Sequence, residues 1–345
     1  MSINAVSPPV ILPGPDPGSE GPAETHSTGR AVRRLPGWRE LIASPVALLP
    51  LLLLGIVAAV LVYASGLHDF GWSFWGANYV FNPPGDAASG SIYGIGYYAL
   101  GSFVTAGLAL LLATAISLAL AISLVVYLPP VVSRPLTVLT DLLAGIPSIV
   151  FGLWGFVVLS PYFGQSVEPT MSAFLHWIPG LGGTSYTIGT GEGTLLAVFI
   201  LTIMVVPITT AIMRESIRTV PQSAIEAGLA LGATRWEVVR HVRLKMARQG
   251  LWGAVFLGFG RAFGESVAVA MVIGEALWSP SWLPPNVYAG SYTIASFVFN
   301  QWDSAFLYPT LLQALVEFSL VLFLISLAVN TVGHHLSTRG SGEGA

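Results

Sequence analysis

Six apolar runs dominate this sequence, at about 46–65, 99–128, 136–159, 194–213, 251–276 and 305–332. Roughly 20 consecutive apolar residues suffice for a helix to cross the hydrocarbon core of a bilayer, and each run meets that length. No water is available there to satisfy backbone N–H and C=O groups, so the expected fold class is all-α, with each span closing its own hydrogen bonds. Composition agrees. Only 9% of the 345 residues are charged, against about 25% in soluble domains. The second run exceeds the need, which implies tilt or continuation past the membrane. The third is interrupted by Gly145-Ile146-Pro147.

The flanks differ. Residues 1–40 are rich in Pro, Gly, Ser and Glu without hydrophobic periodicity, and read as a disordered tail. They do not read as a cleaved signal, because the first apolar run starts too far along and is long enough to span. Residues 41–335 form the expected transmembrane domain, and 336–345 a short C-terminal tail.

The cations fix an orientation. Arg30, Arg33, Arg34 and Arg39 precede the first run, and Arg134 separates the second from the third. Arg214, Arg218, Arg235, Arg240, Arg243, Lys245 and Arg248 separate the fourth from the fifth, and Arg339 follows the sixth. Loops 68–98, 160–193 and 277–304 contain neither Lys nor Arg. The positive-inside rule then places both termini and the basic loop 214–250 in the cytoplasm, with Arg261 as the one intramembrane exception. The three other loops carry Trp72, Trp75, Tyr79, Tyr93, Tyr97, Tyr98, Trp177, Tyr186, Trp278, Trp282, Tyr288 and Trp302. Either these form an interfacial aromatic belt, or part of them docks an external partner.

The basic loop has internal structure. Pro221 suits a first helical turn, and Gly232 a left-handed stop after the helix it opens. Thr234-Arg235-Trp236-Glu237 is a capping-box pattern that starts a second helix, along which Val238, Val239 and Val242 interleave with Arg240, Arg243, Lys245 and Arg248. Two readings stand: an amphipathic helix on anionic headgroups, or a lever held by a cytoplasmic partner.

Glu226-Ala227-Gly228, then Gly232, then Val242-Arg243-Leu244 resembles the "EAA" loop of ABC importer permeases. The resemblance implies that the first short helix, with Glu226, Ala227, Gly228, Gly232 and Thr234, docks into a separate ATPase. Gly228 replaces the second Ala and Lys245 the usual Pro, which implies a second helix continuous with the fifth span. The chain has no P-loop. That motif needs Gly-Lys-Ser/Thr, and the only lysine follows Leu244. ATP and magnesium therefore belong to the partner, and the chain itself is expected to bind no cofactor and to be no enzyme.

Gly260-Arg-Ala-Phe-Gly-Glu-Ser-Val-Ala-Val269 is similar to the G-R-A-L-G-E-T signature of phosphate importer permeases. Leu143-Ala-Gly-Ile-Pro-Ser-Ile-Val-Phe-Gly-Leu-Trp-Gly155 resembles their L-A-G-I-P-S segment. Together they resemble PstC-type rather than PstA-type subunits, from about residue 93 to 333. The resemblance implies the six-helix type I permease fold and the bacterial inner membrane. It also implies a second, PstA-type permease, a P-loop ATPase dimer and an extracytoplasmic phosphate-binding protein as partners, with no role for nucleic acid.

The residues themselves bear on the substrate. Arg261 lies ten residues beyond Leu251, so ~15 Å along a helix and near the midplane. A charge there costs ~2.5–3.5 kcal/mol on insertion scales and needs a partner. Glu265 is expected on the same helical face at i+4. Either Arg261 grips phosphate oxygens in the pathway with Glu265 balancing it, or the two form a static pair. Ser148 and Ser266 are further candidate pathway residues. At Gly145 and Pro147 the third run either kinks simply or frees N–H groups that line a cavity. Asp141 sits at the cytoplasmic interface or pairs with a neighbouring helix. Glu275 and Glu317 are expected near outer span ends, within reach of water. His68, His176, His241, His334 and His335 show no metal-ligand spacing.

Three other classes compete. A permease for another oxyanion, such as sulfate or molybdate, shares the coupling loop without the 260–269 signature. An ion-gradient carrier gives no reason for the loop. An intramembrane enzyme lacks a histidine pair, a cysteine and a Gly-x-Ser-x-Gly elbow.

Overall fold

The computed structural model describes residues 45–65, 94–178, 181, 191–276, 286–307 and 309–338. Residues 1–44 and 339–345 lie outside them, as do Trp72, Trp75, Tyr79, Tyr93, Tyr186, Trp278 and Trp282. The chain divides into two units, 1–54 and 55–345. Helix α1, Pro45–Ser65, crosses that division. The second unit contains the helices that follow.

Helix α2, Ile95–Ile122, runs on through a π-helical turn to Tyr127. Helix α3 spans Pro130–Ala144 and α4 spans Ser148–Leu175. Helix α5 spans Thr194–Arg218, and the short α6 spans Gln222–Ala230. Helix α7 covers 235–263 without interruption and is followed by the four-residue α8, Val267–Ala270. Helices α9, Ile294–Ala305, and α10, Pro309–Thr338, complete the unit. Among the described residues four helical stretches are long and apolar enough to cross a membrane: Ile95–Tyr127, Ser148–Leu175, Thr194–Arg218 and Leu311–Gly333.

A stripe of small residues explains the central packing. Ser102, Ala106, Ala109, Ala113, Ser117 and Ala121 recur on one face of α2 and are all buried. In lipid there is no hydrophobic drive between helices, so close backbone approach through small side chains is what associates them. This stripe admits α5, and the Ser117 hydroxyl donates across the seam to Val206 O at 3.2 Å. Three further clusters extend the core. At one end Tyr98, Tyr292, Phe297 and Phe318 pack together. Phe151, Ile200, Leu201, Ala268 and Val272 form a second cluster. At the other end Met213, Ile217, Val220, Ile225, Val238 and Val239 tie α5, α6 and α7.

Two expected spans are redrawn. The third does not run from 136 to 159 as one kinked helix. Gly145 caps α3, Ile146 precedes a proline, which disfavours helix at that position, and Pro147 restarts the chain as the N-cap of α4. Helix α4 then continues to Leu175, well into what reads as an outer loop. It tolerates Pro161 and Pro169 because a π-turn stands before each, at Gly155–Leu159 and Phe163–Val167. Proline lacks an N–H and its ring clashes with the carbonyl four residues back. Widening the preceding turn gives a local way to relieve both.

The fifth span is interrupted as well. Helix α7 stops at Phe263, where the Gly264 N–H closes onto Gly260 O at 3.2 Å. Conversely, α7 begins at Arg235 and passes through Lys245 unbroken, as expected without the proline. The stretch read as the last outer loop contains α9, whose Thr293–Ser296 capping box is buried. Helix α9 packs against α10, and Glu317 of α10 is 1% exposed rather than open to water.

Candidate functional site

Two interrupted helices meet at the 260–269 signature. Helix α8 lies against the first turns of α4, and Ile146, Phe151, Ala268, Val269 and Met271 share one cluster. The approach is backbone to backbone: a Cβ on Gly152 would stand 2.9 Å from Ala268 Cα. The two sequence segments singled out separately, 143–155 and 260–269, are therefore one structural neighbourhood. Ser148 opens α4 there, partly buried, with Pro147 as N-cap. The first N–H groups of a helix have no intrahelical acceptor and favour anions.

Arg261 and Glu265 do not occupy one helical face. Helix α7 has ended by Gly264, so Glu265 and Ser266 lie in the non-helical link to α8. Among the described residues Arg261 makes no ion pair with Glu265. The guanidinium side chain is exposed in the isolated chain and Glu265 is partly buried. The i+4 geometry is thus corrected, because Gly264 terminates the turn that would have supplied it. Ser266 and Gly264 line a cavity of about 350 Å³ with Ala295, Val298, Phe299, Trp302 and Leu322. Apart from Ser266 its side chains are apolar.

The segment from Pro221 to Glu237 is built from local signals. Pro221 is the N-cap of α6 rather than its first residue. Helix α6 ends as a Schellman motif: the Ala233 N–H donates to Gly228 O at 3.2 Å and the Gly232 N–H to Leu229 O at 3.0 Å. Gly232 has φ +87°, which glycine adopts without a Cβ penalty. The capping box is complete. Glu237 N donates to Thr234 Oγ1 at 3.3 Å, and Thr234 N to Glu237 Oε2 at 2.7 Å. Hydrogen bonds from the Thr234 backbone N–H and hydroxyl hold the Glu237 carboxyl below its usual range.

Gly228 has a packing reason. A Cβ there would lie 3.2 Å from Val238 Cγ2, so a glycine in place of the second alanine lets α6 close on α7. Ile225 is the buried anchor of α6, while Glu226 and Ala227 point outward. Glu226 Oε1 accepts from Gln222 Nε2 at 3.1 Å. Leu229, Leu231 and Trp236 are exposed apolar side chains beside them.

Asp141 takes the paired alternative. Arg214 Nη2 donates to Asp141 Oδ1 at 3.4 Å, joining α3 to the end of α5. Two features escaped sequence reading. Arg214 reads as one more loop cation, yet it is buried. Glu317 has a buried Oε2 without a hydrogen-bond partner among the described residues. Its only sequence signal is an acid inside an apolar run.

Residues 113–339 match the family described as "Binding-protein-dependent transport system inner membrane component". The chain is 35% identical over 326 residues to "Phosphate transport system permease protein PstC 1" of Mycobacterium tuberculosis, covering 92% of this chain and 95% of that protein. It is 34% identical over 308 residues to the PstC protein of Haemophilus influenzae, covering 88% and 94%. A solved bacterial ABC transporter involved in import of the acidic polysaccharide alginate matches with a TM-score of 0.50 at 14% identity, over 71% of this chain and 79% of that one. That match is one of fold.

Proposed function

The chain belongs to the binding-protein-dependent transport system inner membrane component family, and on that footing we propose that it is the permease subunit of an ATP-driven phosphate importer. The observation that carries the substrate is its likeness, over nine-tenths of its length, to a phosphate permease protein. The chain forms half of a pathway whose other half is a second, PstA-type permease. An external binding protein delivers phosphate, and a P-loop ATPase dimer supplies the energy with its own ATP and magnesium.

Six spans cross the bacterial inner membrane: α1, α2, α3 with α4, α5, α7 with α8, and α10. Both termini and the basic loop lie in the cytoplasm, in keeping with the distribution of arginines. Residues 1–40 and 336–345 are tails flanking the membrane domain.

Helix α6 docks the ATPase through Glu226 and Ala227, with Leu229, Leu231 and Trp236 as the apolar rim. What supports this is their exposure next to a firmly capped turn at Gly232 and Thr234. Because α7 is continuous from Arg235 to Phe263, a push on α6 is delivered to the signature by one rigid rod. Arg261 meets phosphate in the pathway. In support, it is unpaired with Glu265 and stands one turn before a helix break. Arginine's planar fork suits two oxygens of one phosphate. Ser148 and Ser266, at the starts of α4 and α8, supply hydroxyls beside it, and Glu265 balances the cation when the pathway is empty.

The test is reconstitution of the four-component complex in proteoliposomes. Phosphate uptake should require internal ATP and the binding protein, resist ionophores and resist competition by sulfate or molybdate. Uptake abolished by an ionophore and indifferent to the ATPase would convert the reading to a gradient-driven carrier.

A further inference from the structure

The span formed by α3 and α4 has two unlike arms. The α4 arm is locked: Gly152 abuts the Ala268 backbone, and a Cβ on Gly155 would stand 2.9 Å from Ile200 Cδ1. The α3 arm has no buried residue at all. Between them, each side closes its own turn. Gly145 and Ile146 donate back to Leu142 O and Leu143 O at 3.0 and 3.3 Å, and Val150 donates to Pro147 O at 3.0 Å. Helical hydrogen bonding stops at a proline flanked by a glycine-capped end, which is where a helix pair bends at least cost.

One polar contact joins the α3 arm to α5, against which it packs. Arg214 Nη2 reaches Asp141 Oδ1 at 3.4 Å, near the weak end of hydrogen-bond lengths. The Arg214 side chain is 10% exposed and that of Asp141 is 50%. The other two nitrogens, Nε and Nη1, are buried without partners. A core cation therefore holds a single, half-hydrated acceptor that sits on the α3 arm. Arg214 is also seated on the drive side. Its neighbours Met213 and Ile217 belong to the cluster that contains Val220 and Ile225 of the coupling element.

We propose that Asp141 and Arg214 form a latch: it holds the α3 arm closed against α5, and displacement of α6 by the ATPase releases it, so that α3 swings about Gly145–Pro147 while α4 stays fixed. The two are positioning residues, acting on the pathway through the arm. Coupling is reciprocal, so opening the latch also changes what the ATPase experiences. The proposal rests on the reading of the chain as a permease driven through α6.

The chain has no cysteine, so Asp141→Cys with Arg214→Cys gives a clean pair for a short bis-methanethiosulfonate linker. In the full complex, linking should cut phosphate uptake about tenfold or more, a typical coupling size. Basal ATP hydrolysis should remain, and dithiothreitol should restore uptake. Linked complex that imports at the unlinked rate overturns the latch. Should the unlinked double variant be inactive, Asp141→Asn decides. The latch predicts ATP hydrolysis raised severalfold without the loaded binding protein. A static pair predicts lower thermal stability with an unchanged requirement for it, and that result also overturns the proposal. The unmodified complex separates the layers. If it imports phosphate and linking changes nothing, the latch alone fails; if it does not import phosphate, the permease reading fails with it.

Discussion

Gly152 and Ala268 meet so closely that a Cβ on the glycine would stand 2.9 Å from Ala268 Cα, with Met271 Sδ equally near. This contact joins the two interrupted helices that carry the signature segments. Gly152→Ala should therefore force a backbone shift. Overpacking of this kind costs about 1–3 kcal/mol. The purified complex should melt earlier in detergent, and uptake should fall with it. An unchanged melting temperature would show that α4 and α8 are not in backbone contact.

Arg261 gives the sharpest test of the pathway. Arg261→Gln should abolish phosphate uptake while the complex assembles and keeps basal ATP hydrolysis. Arg261→Lys keeps the charge but loses the fork, so uptake should weaken rather than persist at full rate. Because no ion pair joins Arg261 to Glu265, adding Glu265→Gln to Arg261→Gln should not restore uptake. Normal uptake by that double variant, at equal membrane levels, would remove Arg261 from the pathway.

Glu226 is exposed and among the described residues is held only by Gln222, so reversing its charge should leave the chain folded. Glu226→Lys is expected to insert normally and to lose the ATPase on purification, or to hydrolyse ATP without transport. Substrate-stimulated hydrolysis at the wild-type rate would place the docking surface elsewhere.

The capping box makes the start of α7 sensitive to acid. The Glu237 carboxyl titrates below its ordinary value of 4.5 in the folded chain. Its stabilisation is therefore complete above that value and is lost as pH falls through the lower, folded one. Amide exchange at 235–238, corrected for intrinsic pH dependence, should quicken over that window. Thr234→Ala should remove the cap at every pH, at about 1 kcal/mol. Identical pH profiles in the two proteins would contradict this assignment.

Orientation can be read with single cysteines in the cysteine-free chain. Trp236→Cys should react only from the cytoplasmic side and Trp302→Cys only from outside; both side chains are exposed. Reaction of both from one side would overturn the reading of the arginines.

Hydrophobic runs are a property of the chain itself, so the all-helical class was legible without coordinates. So were the capping box at Thr234 and the left-handed stop at Gly232, because both are made by residues within a few positions of each other. The missing proline at Lys245 likewise announced the continuous α7. Interruptions and partners were different. Whether Pro147, Pro161 or Pro169 breaks a helix depends on whether neighbouring turns can widen and what packs beside them, and only the first does so. Gly264 ended α7 and moved Glu265 off the face of Arg261, a choice made by the packing of α8 against α4. Glu317 and Arg214 read as an outer acid and a loop cation, but both are buried, the second beside the cluster that binds α5, α6 and α7. Burial is set by what other segments place around a side chain, and a sequence lists neighbours only along the chain.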